Sequence, residues 1–428
     1  MARDLPLNQL GIHELLRGLE AQAFSPVDVV RACLGRIAER DDEIRAWTSV
    51  AGDAALAEAE RAGVGEALLL GIPFGAKDVL DTGNLPTEMG SRLYAGHRPR
   101  YDAGVVAHLR NAGAILLGKT ATCEFAGVEP TDTANPLDPS RTPGGSSSGS
   151  AAAVADFMAP LALGTQTAGS VLRPAAFCGV VGFKPTYGFY SIAGMKPAAP
   201  SFDTVGLITR SVTDAAIVHA VLMADRRPPA SPSAPRIGRF RSHLDATVSP
   251  EAAKALDAAL AALEARGARV VDVAAPEGFE AITAQRALIN AFERCRGLAS
   301  EWRSDRDSLG EKTRRIASAG LAIDGASYVA ARREVEAFRR RIDELGGAWD
   351  VLVSVTAPAV APVSRAETGD PRLQEIWTML HMPSLSLPLP REAGALPIGL
   401  QLVGARFEDM PLLAAAAWVE RALGAASR

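Results

Sequence analysis

The spacing of hydrophobic positions changes along the chain and separates regions with different predicted structure. The first 60 or so residues show the repeat of amphipathic helices, with Ser25 and Pro26 placed as the cap and first turn of a helix. Between residues 71 and 210, short apolar runs such as 114–118 and 180–183 alternate with glycine-rich turns and alanine-rich stretches. This alternation predicts α/β layers with a mixed or parallel sheet.

A proline-rich stretch at 226–235 predicts a surface connection to the next region. A helix is predicted there, because Ser249 is a favourable cap, Pro250 suits the first helical position and Gly267 suits the end. A strand is expected directly after Gly267, and helical spacing then continues to about residue 346. The middle of the chain is therefore predicted to be mainly helical.

Apolar runs at 350–355 and 397–404 predict two late strands, and a final helix is expected from Asp409. We expect these strands to rejoin the early sheet. The predicted fold is α/β, a mixed, largely parallel central β-sheet covered by helices on both faces, in a single domain spanning residues 1–428. Its parts are a core at about 71–210, a helical excursion at about 240–346, and C-terminal strands and helix at 350–428.

Composition limits the class of protein. Of the 428 residues, 48% are hydrophobic, which supports a large core, and the formal net charge is −4 with both signs interspersed. The chain lacks the basic stripe of a nucleic-acid-binding protein, an apolar run of roughly 20 residues and the continuous apolar segment of a signal peptide. We therefore expect a cytoplasmic protein with no nucleic-acid partner and no membrane partner, and we allow for a homodimer.

Residues that bind metals or form disulfides are scattered. The four cysteines are far apart and form no CxxC pair, so buried thiols are expected. The six histidines form no HExxH or HxH pair. We therefore expect no metal site and no cofactor.

Lysine is rare, which makes each lysine a candidate for chemistry. Arginine cannot replace lysine where a reaction needs an amine that can lose its proton. Of the 45 basic residues, six are lysines: Lys77, Lys119, Lys184, Lys196, Lys254 and Lys312.

Residues 143–150 have the sequence PGGSSSGS, which is compatible with several kinds of segment. A flexible linker is disfavoured, because a strong helix former follows at once. The pattern G-x-S-x-G around Ser147 matches a serine-hydrolase elbow, although the prolines before it argue against the strand that an elbow requires. His381 and Asp350 would then complete an esterase triad, and this alternative is kept.

The segment GAILLGKT at 113–120 matches the letters of a nucleotide-binding P-loop. A P-loop requires a preceding strand and a small exposed loop between its glycines. Here the intervening residues are Ala, Ile, Leu and Leu, and the segment before Gly113 has helical character. We predict a strand and turn, and no nucleotide site.

Two more segments accompany the glycine–serine string, GIPFGAKDVLDTGNLPTEMGS at 71–91 and GTQTAGSVLRP at 164–174. In this order the three segments resemble the amidase signature family of Ser–Ser–Lys amidohydrolases. The resemblance extends through FCGVVGFKPTYG at 177–188 to PIGLQLVG at 397–404. It implies the amidase signature fold and cleavage of a small-molecule carboxamide to a carboxylate and ammonia through an acyl-enzyme.

The resemblance also assigns a catalytic triad, with Ser170 as nucleophile, Ser146 as bridging serine and Lys77 as terminal base. A lysine serves as a base only when neutral, so its pKa must be lowered, chiefly by burial. The apolar neighbours of Lys77 are consistent with burial, and a surface pair with Asp78 is the alternative. The peptide between Gly145 and Ser146 is implied to be cis.

The expected oxyanion hole consists of backbone N–H groups of Thr167, Ala168, Gly169 and Ser170. The chain departs from the commoner family pattern here, because Ala168 replaces a glycine and Gln166 stands where aspartate is frequent. Alanine keeps its N–H, so we expect the hole to survive unless that position requires a positive φ.

Arg173 lies three residues after the predicted nucleophile, whereas many family members have arginine two residues after it. We expect Pro174 to hold Arg173 in an extended conformation. Arg173 is predicted to bind a substrate carboxylate, which would favour a malonamate-like or urea-derived amide. A structural arginine bonded to backbone carbonyls is the alternative.

A second functional class occurs in the same family, the A-type component of a glutamyl-tRNA amidotransferase, which works inside a complex. The short chain and the missing basic surface make this function the less expected one.

Overall fold

One mixed β-sheet organises the part of the chain that the computed structural model describes, residues 5–62, 67–225, 233–344 and 349–424. The strands are β1 (Trp47–Val50), β2 (Pro73–Lys77), β3 (Ile115–Thr120), β4 (Leu161–Gln166), β5 (Val181–Lys184), β6 (Thr204–Thr209), β7 (Arg236–Arg241), β8 (Arg269–Ala274), β9 (Val351–Val355), β10 (Ser384–Pro388) and β11 (Gly399–Val403). Their order in the sheet is β1-β3-β2-β4-β6-β5-β10-β11-β9-β7-β8.

Helices cover both faces of this sheet, as predicted. They are α1 (Ile12–Glu20), α2 (Pro26–Ile44), α3 (Gly52–Arg61), α4 (Gly104–Asn111), α5 (Ser148–Ala155), α6 (Leu172–Cys178), α7 (Val212–Leu222), α8 (Pro250–Ala265), α9 (Phe279–Gly297), α10 (Ala299–Asp305), α11 (Glu311–Leu321), α12 (Gly325–Glu344), α13 (Arg372–Met379) and α14 (Asp409–Leu423). Within the described residues, none of them is long and apolar enough to cross a bilayer.

The strand pairings explain how distant parts of the chain meet. Parallel pairing joins β2 to β3 and β4 on one flank, and β7 to β8 and β9 on the other. The strands between these flanks pair antiparallel. The pairing of β10 with β5 brings the late strands into the early sheet, as expected. The assignment of residues 1–428 to a single domain stays a prediction.

Several local predictions are confirmed. Ser25 caps α2 by accepting a hydrogen bond from the Asp28 N–H, with Pro26 at the first helical position. Ser249 caps α8 in the same way, with Pro250 at its start. The described cysteines are free thiols and are buried.

The segment 113–120, whose sequence matches the P-loop pattern, does not have the structure of a P-loop. Residues Ile115–Thr120 are strand β3, and every one of them is buried. The predicted strand is therefore confirmed, and it continues through Lys119 where a turn was expected.

Two strands escaped the sequence prediction. The short edge strand β1 lies in the region expected to be helical, and β10 lies among the prolines at 383, 388 and 390. In β10 the prolines stand only at the end of the strand or outside it, where a missing N–H removes no central ladder bond. Most of the proline-rich connection at 226–235 lies outside the described residues.

Candidate active site

The site forms where two parallel strands end. Lys77 is the last residue of β2 and Gln166 the last residue of its neighbour β4. Because parallel strands end at the same edge of a sheet, the segment after Gln166 lies beside Lys77. This segment, 167–170, contains the predicted oxyanion residues and nucleophile.

Lys77 is fully buried and contacts hydroxyl groups. Its Nζ lies 2.8 Å from Ser146 Oγ and 2.8 Å from Thr165 Oγ1. Burial lowers the pKa of Lys77 to about 7. The alternative of a surface pair with Asp78 is wrong, because Asp78 is buried and pairs with Lys119 at 2.9 Å.

The glycine–serine string is a compact turn into α5. The Gly145–Ser146 peptide is cis, as the resemblance implied, and the Ser146 carbonyl accepts a hydrogen bond from the Cys123 N–H at 3.1 Å. A Cβ at position 145 would lie 2.7 Å from Thr368 Cγ2 and 2.9 Å from Cys123 Sγ. Close packing around the turn therefore requires glycine at 145.

The other serines of the string hold the turn in place. Ser148 Oγ donates to the Gly144 carbonyl at 2.7 Å, and Ser150 Oγ donates to the Leu163 carbonyl at 2.9 Å. Ser147 Oγ accepts from the Thr165 N–H at 3.2 Å. Ser148 is thus bonded within the string, whereas Ser147 and Ser150 join the string to strand β4.

Ser170 lies between β4 and α6 and is 7% exposed. Its carbonyl accepts a hydrogen bond from the Ser147 N–H at 3.3 Å, so its backbone is joined to the residue that follows Ser146. The structure thus brings Lys77 and Ser146 into hydrogen-bonding contact and places Ser170 beside the same turn. The roles of the three residues stay predictions.

The oxyanion segment is held from two sides. Thr167 Oγ1 donates to the buried carboxylate of Asp203 at 2.5 Å. On the other side, Thr378 Oγ1 in α13 donates to the Ala168 carbonyl at 2.7 Å. Ala168 is not among the described residues that have a positive φ. Position 168 therefore does not require a glycine, and Ala168 can offer its N–H to the predicted oxyanion hole.

The second departure from the family pattern is Gln166, which stands where aspartate is frequent, and its contacts use both ends of the amide. Its Oε1 accepts from the N–H groups of Val171 and Leu172 at 2.9 and 3.0 Å, the orphan donors at the start of α6. Its Nε2 donates to Thr378 Oγ1 at 2.9 Å. A carboxylate could accept the first two bonds but could not donate the third.

Arg173 is helical, so the predicted extended conformation is wrong. It lies in the first turn of α6, where its N–H donates to the Gly169 carbonyl at 2.9 Å. Pro174 fits there because the first N–H groups of a helix have no acceptor within the helix. The fully buried guanidinium donates through Nη2 to the Gly145 carbonyl at 2.6 Å and to Thr368 Oγ1 at 3.3 Å.

The esterase alternative fails on geometry. Asp350 pairs with Arg236, whereas His381 stacks on Tyr187 and contacts the Ser201 carbonyl at 2.8 Å. Ser147, the proposed elbow serine, bonds to Thr165 instead. These side chains therefore form no triad.

Sequence reasoning missed several residues of the site. Thr165 lies inside the segment 164–170, so its position in that motif could have identified it. Asp203 and Thr378 have ordinary sequence surroundings and reach the site only through tertiary packing.

Comparisons with known proteins agree on one family. Residues 28–413 match the family model described as Amidase. A relative from Anaeromyxobacter dehalogenans, the A component of its glutamyl-tRNA(Gln) amidotransferase, is 37% identical over 477 aligned positions, covering 98% of this chain and 97% of that protein.

Solved structures show the same fold. A crystal structure of an amidase aligns with a TM-score of 0.88 and 31% identity, covering 97% of this chain and 100% of that chain. The peptide amidase of Stenotrophomonas maltophilia aligns with a TM-score of 0.84 and 28% identity, covering 99% of both chains.

The curated relatives correct one expectation. The prediction of no nucleic-acid partner is wrong on this comparison, because those relatives are named as one component of a glutamyl-tRNA amidotransferase. The prediction rested on the interspersed charge of this chain. One component of a larger assembly does not need a basic surface of its own, so the chain's charge does not exclude such a partner.

Proposed function

Because the chain belongs to the amidase family, we propose that it releases ammonia from a primary carboxamide, with Ser170 as nucleophile, Ser146 as proton relay and Lys77 as base. The observation that carries this proposal is the 2.8 Å contact between Lys77 Nζ and Ser146 Oγ. Lys77 is buried among neutral hydroxyl partners, and burial lowers its pKa to about 7. A neutral amine is therefore available near neutral pH.

Attack begins with the transfer of two protons. A neutral Lys77 can donate one N–H to Thr165 Oγ1 and direct its lone pair at Ser146 Oγ. Ser146 gives its proton to Lys77 and takes the proton of Ser170, whose Oγ bonds to the carboxamide carbon. The oxygen that becomes negative accepts hydrogen bonds from the N–H groups of segment 167–170, which Asp203 and Thr378 hold in place.

Ammonia leaves when the tetrahedral intermediate collapses. The proton returns from Lys77 through Ser146 to the amide nitrogen, the C–N bond breaks, and an ester to Ser170 remains. Water then attacks the ester and gives a proton through Ser146 to Lys77. This proton returns to the Ser170 oxygen as the ester C–O bond breaks, which releases the carboxylic acid and restores the Ser170 hydroxyl.

We propose L-glutamine as the amide donor, with the chain acting as the A-type component of a tRNA-dependent amidotransferase. Support comes from the curated relatives of that name, which align over nearly the whole length of both chains. Arg173 fits a glutamine α-carboxylate, because its buried guanidinium lies beside the turn that carries Ser146.

A second candidate is hydrolysis of a small free acid amide such as malonamate. The same arginine favours any carboxylate-bearing amide, and the solved relatives include proteins described as amidase and peptide amidase. The two functions differ in the donor molecule and share the proposed chemistry.

Ammonia release from L-glutamine, malonamate and propionamide separates these functions. We expect hydrolysis of L-glutamine, slow turnover of propionamide, and no activity above background for Ser170→Ala. Faster hydrolysis of malonamate than of L-glutamine would favour the second candidate. Unchanged ammonia release by the Ser170→Ala chain would overturn the mechanism.

A further inference from the structure

Helix α13 brings a side chain that the proposed mechanism does not use to Gly169, the residue before the proposed nucleophile. Thr378 of this helix is bonded to the Ala168 carbonyl and to Gln166, which docks α13 against the oxyanion segment. Gln374 lies one helical turn before Thr378, on the same side of the helix. It therefore faces the residues just before Ser170.

Gln374 is fully buried and its amide is unused. Neither Oε1 nor Nε2 has a hydrogen-bond partner among the described residues. Its Oε1 lies so close to Gly169 that a Cβ at position 169 would collide with it. Buried polar groups are nearly always hydrogen-bonded, so an unused amide beside a nucleophile points to a bound molecule as its partner.

Arg173 offers unused donors at the same place. Its Nε and Nη1 lack partners in the described part of the chain, although its Nη2 is bonded to Gly145 and Thr368. A Cβ at position 169 would lie 3.3 Å from Arg173 Nη1 and would also collide with Gln374 Oε1. The two side chains therefore flank Gly169 with three unused donor nitrogens and one unused acceptor oxygen.

We propose that Gln374 is a specificity-determining residue that binds the acyl side of the substrate and selects α-amino acids that carry a side-chain carboxamide. A carboxylate accepts from the donors of Arg173, and an adjacent ammonium group donates to Gln374 Oε1. An acid amide without the ammonium group leaves this acceptor unpaired, which costs affinity. The inference rests on the proposed function and specifies its substrate class.

Binding to the full-length Ser170→Ala chain tests this without turnover. Calorimetry with L-glutamine and with glutaramate, which lacks only the α-amino group, isolates the contact. We expect L-glutamine to bind about tenfold or more tightly than glutaramate. Adding Gln374→Met, which keeps the volume of the side chain, should remove most of this preference by weakening L-glutamine alone.

Two further variants separate recognition from support of the fold. Gln374→Glu keeps an acceptor for the ammonium group and should retain the preference for L-glutamine, even if both affinities fall. Arg173→Met should weaken both ligands by similar factors. Equal weakening of both ligands by Gln374→Met would assign Gln374 a packing role and overturn the proposal, as would failure of the Ser170→Ala chain to bind either ligand.

Ammonia release by the unsubstituted chain is measured in a separate assay, which distinguishes the proposed hydrolysis from the proposed specificity role. Preferential binding of L-glutamine without ammonia release would refute the proposed hydrolysis and leave the specificity role intact. Hydrolysis of L-glutamine and glutaramate with equal kcat/KM would refute the specificity role and leave the hydrolysis intact.

Discussion

Two fully buried lysines lie in neighbouring parallel strands and differ in the groups that their amines contact. Lys77 ends β2 and Lys119 lies in β3, where its register partner is Ala76. Lys119 Nζ lies 2.9 Å from Asp78 Oδ1, whereas Lys77 Nζ contacts the hydroxyls of Ser146 and Thr165. Asp78, which directly follows Lys77 in the sequence, thus pairs with Lys119.

This difference shows how the same residue type can have two functions. An opposite charge favours the protonated form of a buried amine, and Asp78 opposes the lowering of the Lys119 pKa by burial. Hydroxyl partners give no such support, and burial lowers the pKa of Lys77 to about 7. The ion pair therefore suits Lys119 to stabilising the fold. Lys77 contacts hydroxyls, and burial lowers its pKa more than Asp203 raises it, which suits Lys77 to accepting a proton.

The largest expected effect is on activity. Lys77→Met should lower kcat/KM for ammonia release by about 10²–10⁴-fold, the usual contribution of a general base, while the chain stays folded. Steady-state kinetics measures the loss, and circular dichroism checks the fold. Activity within a few-fold of the unsubstituted chain would remove Lys77 from the mechanism.

The matched change at Lys119 should act on stability instead. Lys119→Met leaves the Asp78 carboxylate buried without its partner and should lower the free energy of unfolding by about 3–5 kcal/mol. Urea denaturation measures this loss. Adding Asp78→Asn removes the unpaired charge and should recover part of the stability, and a Lys119→Met chain as stable as the original would contradict the assigned role.

The smallest effect is expected at a third buried lysine. Burial also lowers the pKa of Lys184, against the opposing effect of Asp409. Its Nζ donates to the Pro185 carbonyl at 2.8 Å, and no hydrogen bond joins it to a serine of the triad in the described part of the chain. Lys184→Met should leave kcat/KM per folded molecule within about threefold, because a lowered pKa without contact to the relay contributes no catalysis. A loss as large as that of Lys77→Met would show that contact with the relay is not what distinguishes these lysines.

The sequence predicted local features well where they depend on neighbouring residues. The capped starts of α2 and α8 follow from Ser25 and Ser249, whose side chains accept from nearby N–H groups. The pairing of Lys77 with the glycine–serine turn followed from the ordered family segments. Short-range chemistry and a resemblance were sufficient for these features.

Features set by tertiary packing were not predictable in this way. Asp203 and Gln374 reach the oxyanion segment from distant elements, and nothing in their sequence surroundings distinguishes them. Arg173 was expected to be extended because a proline follows it, but the first turn of α6 tolerates that proline. The partner of Asp78 also depended on sheet register, which places Lys119 beside it.

The pH dependence of nucleophilic attack by Ser170 tests the central claim most directly. The rate of inactivation by the serine-reactive reagent phenylmethylsulfonyl fluoride reports this step. Only the neutral amine can take the proton, so the rate should rise tenfold per pH unit below about pH 7 and level off above it. In Lys77→Met the slow residual rate should lose this inflection. A rate in the unsubstituted chain that stays constant through neutral pH, or an inflection that persists in Lys77→Met, would contradict the account.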